Sequence, residues 1–109
     1  MSYDPTFAHE VGVILHHGLK RMVEKQDNVY YYLTLLNENY AMPGLQPGTE
    51  EQIIKGMYLC RQATVVKPAK GEKAAPTVQL LGSGTILRES FFAQELLEKD
   101  WGVRAAVWS

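Results

Sequence analysis

The sequence has very little cysteine and no excess of either charge. Cys60 is the single cysteine among 109 residues, so no intrachain disulfide can form, and a reducing, cytoplasmic setting is expected. The formal net charge is −1, which provides no global field to recruit nucleic acid or anionic lipid. We therefore expect no nucleic-acid partner.

Long hydrophobic runs are also missing. The apolar runs are far shorter than the ~20 residues that cross a bilayer, and the polar opening MSYDPTFAHE does not resemble a signal peptide. We therefore expect no membrane partner. Hydrophobic residues make up 46% of the chain and charged residues 21%, a balance that is typical of globular proteins and argues against wholesale disorder.

The first third of the chain predicts a helix followed by a strand. Asp4 and Pro5 suit the N-cap and the first position of a helix. The expected apolar stripe of this helix comprises Val11, Ile14, Leu15, Leu19, Met22 and Val23. Val29 to Leu36 is apolar with almost no interruption, which predicts a buried strand in a parallel sheet covered on both faces.

The middle of the chain is rich in turn-forming residues. Asn37 to Gly48 holds two prolines and two glycines and is expected to be irregular. Thr49 to Gln52 fits a capping box, which predicts a short helix ending near Gly56. A strand over Met57 to Val66 and a charged surface loop over Lys67 to Pro76 are expected to follow.

The last third predicts a βαβ unit. Its parts are a strand over Val78 to Leu81, a helix from about Thr85 to Asp100, the terminator Gly102 and a strand over Val103 to Val107. The buried face of the helix is expected to include Leu87, Phe91, Leu96 and Leu97. With no covering element after it, the last strand is expected to present an unpaired edge. The chain thus reads as two incomplete α/β pieces of a larger protein.

Gly82, Ser83 and Gly84 link the predicted strand to the helix, where backbone amides often hold a phosphate. Neither the longer glycine frame of a phosphate loop nor the three spaced glycines of a dinucleotide fold is present. A tight structural turn is therefore the favoured interpretation.

Histidine and cysteine offer little chemistry. His9 and His16 are seven residues apart on one predicted helix, but His17 points elsewhere, and no acidic residue or cysteine completes a zinc spacing. Surface or packing roles are expected. Cys60 has no base nearby in the sequence, so it is not assigned as a nucleophile.

The motif NENY is the strongest candidate for chemistry. Glu38 follows a predicted strand end, where open α/β sheets collect ligands, and its carboxyl group could hold a proton or orient a substrate oxygen. A polar turn explains the motif equally well. Tyr30 to Tyr32 are expected to pack in the strand rather than stack on bases.

Three stretches taken together resemble one family. They are SYDPTFAHEVGVILHHGLKRM, NVYYYLTLLNENYAMP and VQLLGSGTILRE. The sequence resembles the homodimeric bacterial type of pyruvate dehydrogenase, the decarboxylating component of the pyruvate dehydrogenase complex, and more distantly the transketolases. The resemblance covers essentially the whole chain and is weakest over Lys67 to Pro76.

The resemblance implies pieces of two transketolase-like three-layer α/β domains with parallel strands. Residues 1–47 would end the pyrimidine-binding middle domain, and 48–109 would hold the linker and first βαβ unit of the C-terminal domain. The parent would use thiamine diphosphate and magnesium, neither of them bound by this segment. It would oxidatively decarboxylate pyruvate and pass the acetyl group to a lipoyl group of the acetyltransferase partner, whereas the segment alone would be inactive.

The resemblance also implies that Tyr3 and Glu38 line the pocket for pyruvate and the acetyl intermediate. Ala41 stands where some members have a histidine, which puts an imidazole acid–base role at that point in doubt. Two alternatives stay open: a stand-alone interaction module without catalysis, and a segment of another thiamine-diphosphate enzyme of the transketolase type.

Overall fold

A computed structural model describes residues 1–64 and 76–109 and confirms an α/β fold. The chain forms two compact units. Unit 1 comprises Met1–Tyr58 with Ser83–Thr85, and unit 2 comprises Leu59–Gly82 with Ile86–Ser109. Among the described residues, no helix is long and apolar enough to cross a membrane.

Unit 1 combines two helices with a small parallel sheet. Its elements are β1 (Ser2–Tyr3), α1 (Ala8–Leu19), a π-helical turn (Lys20–Glu24), β2 (Tyr32–Leu33) and α2 (Glu50–Lys55). Strand β1 pairs in parallel with β2, so that Tyr3 lies opposite Leu33. Helix α1 packs against α2, with Ile14 and Ile53 almost fully buried.

The start of α1 differs from the prediction. Phe7 is the N-cap, and Asp4 lies outside the helix. The Glu10 carboxylate, from within the first turn, accepts hydrogen bonds from the backbone N–H groups of Thr6 and Phe7 at 2.5 and 3.2 Å. Because Glu10 satisfies the amides at this end, no cap is needed from Asp4.

The predicted apolar stripe of α1 is mostly exposed. Ile14 is buried, but Leu15, Leu19 and Val23 each expose more than half of their surface. The helix also buries Glu10 and Gly18. Glu10 accepts hydrogen bonds at the start of the helix, and the Tyr31 ring lies against Gly18. The buried face of α1 is therefore not the apolar stripe that helical spacing predicts.

The long buried strand predicted over residues 29–36 is wrong in extent and in burial. Only Tyr32–Leu33 form a strand, because β1 offers a partner of just two residues. Tyr30, Tyr32, Leu35 and Leu36 are exposed by 61 to 77%.

The middle of the chain largely follows the sequence. Residues 37–48 contain neither helix nor strand, as predicted. Helix α2 ends at Gly56, whose φ of +88° is readily available to glycine. The predicted capping box is wrong, however, since the Thr49 hydroxyl donates to the Gln46 carbonyl at 2.7 Å instead of accepting from the helix.

Unit 2 contains the predicted βαβ unit. Its elements are β3 (Leu59–Arg61), β4 (Thr77–Leu81), α3 (Leu87–Trp101) and β5 (Arg104–Trp108). The sheet order is β3-β5-β4, with β4 parallel and β3 antiparallel to β5. Strand β5 is therefore central, and the expectation of an unpaired edge there is wrong. Val65, Val66 and residues 67–75 lie outside the described residues.

The buried face of α3 was predicted in part. Leu87 is completely buried, and Phe91 and Leu97 are half-buried, whereas Leu96 is 56% exposed. Gln94 is buried in its place, and its side-chain amide donates to the carbonyls of Gln62 and Ala105 at 3.1 and 2.7 Å. These bonds satisfy the amide nitrogen, so a polar residue is tolerated where an apolar one was expected.

Candidate functional site

Tyr3 lies on β1 in a half-buried position in unit 1. Its hydroxyl donates to the Ile54 carbonyl at 2.9 Å, and its ring stacks on Tyr31 with centroids 6.1 Å apart. Burial raises the pKa of Tyr3, Tyr31 raises it further, and the Arg21 guanidinium partly offsets both. At neutral pH the Tyr3 phenol is therefore a neutral donor that is already engaged by the backbone.

Glu38 is exposed in the irregular segment that follows β2. The segment is attached to the rest of unit 1 on the C-terminal side of Glu38. The Tyr40 hydroxyl donates to the Thr6 carbonyl, and the Pro43 carbonyl contacts Nδ1 of His9 at 2.9 Å. The carboxylate of Glu38 is thus carried on a loop whose path is restrained by the start of α1.

A cavity of about 290 Å³ opens beside the start of α1 in unit 1. Its lining includes Asp4, Thr6, Phe7, Tyr40, Met42 and Thr85, and does not include Tyr3 or Glu38. This cavity therefore does not bring Tyr3 and Glu38 together, and their shared role stays a prediction.

The Ser83–Gly84 turn packs against the N-terminal segment within unit 1. Ser83 donates to the Asp4 carboxylate at 2.8 Å, and the Gly84 N–H donates to the Asp4 carbonyl at 3.0 Å. Thr6 returns a hydrogen bond to the Gly84 carbonyl at 2.8 Å. A side chain at Gly84 would approach Asp4 Oδ2 to 2.9 Å, and its φ is +54°. Glycine is required here by both conformation and close approach.

The turn does not fit a diphosphate group. The N–H of Gly84 is bonded to the Asp4 carbonyl, and that of Gly82 to the Trp108 carbonyl at 3.0 Å. The Asp4 carboxylate would also repel an anion at this point. In residues 1–64 and 76–109, no three histidine, cysteine, aspartate or glutamate side chains are grouped to hold a metal ion.

A buried hydrogen-bonded cluster lies at the N-terminus of α1. Tyr58 Oη lies 2.5 Å from Glu10 Oε1 and 3.1 Å from His9 Nε2, and His9 Nδ1 contacts the Pro43 carbonyl. Glu10 and Tyr58 are almost fully buried. Sequence reasoning did not identify this cluster. The placement of Glu10 three residues after Phe7 was a usable signal, because a glutamate at that spacing is part of a capping box.

The other two histidines follow on α1, and the cysteine belongs to unit 2. His17 Nδ1 contacts the Tyr31 hydroxyl at 2.8 Å, and His16 is exposed. Cys60 is half-buried on β3.

The fold and these contacts define an α/β protein. Residues 1–43 match the family model of the pyruvate dehydrogenase E1 component middle domain. The chain is 53% identical over 110 residues to the pyruvate dehydrogenase E1 component of Escherichia coli (strain K12), covering 100% of this chain and 12% of that protein. It is 50% identical over 108 residues to the same component of Cupriavidus necator, covering 99% of this chain and 11% of that protein.

The E1 component of Pseudomonas aeruginosa is 49% identical over 108 residues, which is 99% of this chain and 12% of that protein. The chain is therefore similar over its whole length to pyruvate dehydrogenase E1 components, and it spans only 11 to 12% of the length of these relatives.

Proposed function

We propose that this chain is a segment of a pyruvate dehydrogenase that oxidatively decarboxylates pyruvate and transfers the acetyl group to a lipoyl group of the acetyltransferase partner. The observation that carries the proposal is the collinear similarity to pyruvate dehydrogenase E1 components over the whole chain, at 53% identity for the Escherichia coli protein. The parent would be a cytoplasmic homodimer.

Thiamine diphosphate would supply the carbanion chemistry in an enzyme of this type, and magnesium would bind its diphosphate. The Gly82–Gly84 turn does not fit the diphosphate of that cofactor, because the amides of Gly82 and Gly84 are engaged by the protein and the Asp4 carboxylate lies beside Gly84. The cofactor would therefore be held by other parts of the parent. The segment would contribute the end of the middle domain, residues 1–47, and the start of the C-terminal domain, residues 48–109.

Tyr3 and Glu38 would be the contribution of this segment to the substrate pocket. Glu38 is exposed, and a carboxylate at this position can hold a proton or accept a hydrogen bond from a substrate hydroxyl. The bond from Tyr40 to the Thr6 carbonyl supports this role, because it restrains the loop only two residues after Glu38. The Tyr3 hydroxyl is bonded to the Ile54 carbonyl, so the Tyr3 ring would line the substrate pocket in a fixed orientation.

A segment exchange tests the proposed function. The matching residues of the Escherichia coli E1 component would be replaced by these 109 residues, and carbon dioxide release from pyruvate would be measured with an artificial electron acceptor. We expect activity within about ten-fold of the host enzyme. This range corresponds to a loss of at most about 1.4 kcal/mol of transition-state stabilisation. A chimera that assembles and binds cofactor, as shown by melting temperature and titration, but releases no carbon dioxide would contradict the proposal.

A further inference from the structure

The irregular segment that follows β2, residues 34–48, packs into unit 1 at Tyr40. The structure describes this whole segment, and within it only Tyr40 is half-buried, whereas every other residue is exposed. The Tyr40 ring meets the buried Phe7 ring edge-on, with centroids 6.2 Å apart and an angle of 70° between the planes. Tyr40 is therefore the point at which an otherwise exposed segment contacts the core.

The Tyr40 hydroxyl has a firmly held acceptor. It donates to the carbonyl of Thr6, a residue that is only 3% exposed. The N–H groups of Thr6 and Phe7 donate to the Glu10 carboxylate at 2.5 and 3.2 Å, and the Thr6 hydroxyl donates to the Gly84 carbonyl at 2.8 Å. Because these bonds hold the backbone and the side chain of Thr6, its carbonyl fixes the position of the Tyr40 hydroxyl.

This bond lies close to Glu38 along the chain. Tyr40 follows Glu38 by two residues, and two residues of extended chain span at most about 7 Å. The bond at the Pro43 carbonyl is more distant in sequence. On the N-terminal side, the N–H of Thr34 donates to a carbonyl of β1 at 3.1 Å. The path of the chain through Glu38 is thus restrained on both sides, and on the C-terminal side the bond of Tyr40 is nearer than that of Pro43.

We propose that Tyr40 is a positioning residue for Glu38, and that the bond of its hydroxyl to the Thr6 carbonyl sets where the Glu38 carboxylate meets the substrate. This inference rests on the proposed function, in which Glu38 contacts pyruvate or the acetyl intermediate. Tyr40 acts through Glu38 and does not itself contact the substrate. A displacement of a reacting group by about 1 Å can reduce a rate by about 10²-fold, so a restraint two residues away is sufficient to affect turnover.

Tyr40→Phe removes the hydroxyl and keeps the ring that packs on Phe7. The loss of one half-buried hydrogen bond is small relative to the stability of a folded protein, so we expect the variant enzyme to fold. A purely structural role for Tyr40 would lower the melting temperature without a specific effect on kcat. A positioning role requires instead that the effect on kcat depends on the carboxylate of Glu38.

A double-mutant cycle in the chimeric Escherichia coli E1 component that carries these 109 residues tests the inference. We expect Tyr40→Phe to lower kcat and kcat/KM for pyruvate equally, by about ten- to hundred-fold. In an enzyme that already carries Glu38→Gln, the same substitution should lower kcat by less than about three-fold, because the positioned carboxylate is absent. Tyr32→Phe is the matched control and should retain full kcat, since Tyr32 is 62% exposed on β2.

Two results would overturn the inference alone. One is an unchanged kcat in Tyr40→Phe, and the other is an equal loss of kcat with and without the Glu38 carboxylate. In both cases a loss of kcat in Glu38→Gln by itself would leave the proposed function standing. Full activity of Glu38→Gln would remove the proposed role of Glu38, and the inference about Tyr40 would fail with it.

Discussion

Gly84→Ala tests the packing of the Ser83–Gly84 turn against Asp4. Gly84 combines a φ of +54° with a position where a new Cβ would lie 2.9 Å from Asp4 Oδ2 and 3.0 Å from Oδ1. An alanine in a left-handed conformation costs roughly 1–2 kcal/mol. The carboxylate can rotate away, but only by giving up the hydrogen bond from Ser83, which contributes about 1 kcal/mol.

We therefore expect Gly84→Ala to lower the free energy of unfolding of unit 1 by about 2–3 kcal/mol. Two other glycines of the same unit separate the causes. Gly48 has a φ of +82° with nothing within 4 Å of a new Cβ, so Gly48→Ala should cost roughly 1–2 kcal/mol. Gly12 lies inside α1 with open space around it, so Gly12→Ala should stabilise by about 0.5–1 kcal/mol.

Hydrogen exchange of α1 amides during urea titration measures these effects on unit 1 separately from unit 2. The decisive quantity is the difference in free energy of unfolding between Gly84→Ala and Gly48→Ala. Both substitutions place alanine at a positive φ, so this cost cancels in the difference. Equal destabilisation by the two substitutions would show that the contact between Gly84 and Asp4 contributes nothing.

Three further outcomes are expected. Leu87→Ala should lower the free energy of unfolding of unit 2 by about 2–5 kcal/mol, whereas substitution of the exposed Leu96 on the same helix by alanine should change it by less than about 0.5 kcal/mol. Equal effects of the two substitutions in chemical denaturation would contradict the packing of α3. Calorimetric titration of this chain with thiamine diphosphate and magnesium should show no saturable heat, and magnesium-dependent binding would contradict the expectation that the cofactor is held elsewhere. The exposed Tyr30, Tyr32, Leu35 and Leu36 should drive self-association in sedimentation equilibrium at tens of micromolar, and a sharp monomer would refute that.

The second half of the chain was predictable because its signals are local. The strand predicted over Val78 to Leu81, the helix closed by Gly102 and the second strand follow from turn chemistry and periodicity. The observed β4, α3 and β5 lie within one or two residues of these predictions. The burial of Gln94 was not predictable, because it depends on carbonyls of Gln62 and Ala105 that only the folded chain brings near its amide.

The first half was less predictable because its elements depend on distant partners. The apolar composition of residues 29–36 indicates a strand, but the length of a strand is limited by the two residues of β1 that pair with it. The start of α1 was misplaced because Asp4 and Glu10 both suit a helix N-terminus. Asp4 instead contacts Ser83, which is 79 positions away in the sequence, so no local pattern could indicate this contact.

The candidate site was predictable only through the family resemblance. Glu38 was equally consistent with a polar turn, and nothing local in the sequence connects Tyr3 with it. The cluster of His9, Glu10 and Tyr58 was missed, because Tyr58 is 48 positions from Glu10 and no motif joins them.

The kcat of Glu38→Gln for pyruvate, measured in the enzyme carrying this segment, tests the central claim most directly. Glu24→Gln is the matched control, since Glu24 is an exposed glutamate of the same unit. The account predicts a loss of about 10²–10⁴-fold in kcat for Glu38→Gln, with the melting temperature unchanged and the control fully active. An unchanged kcat with a lowered melting temperature would contradict the account and identify Glu38 as a structural turn residue.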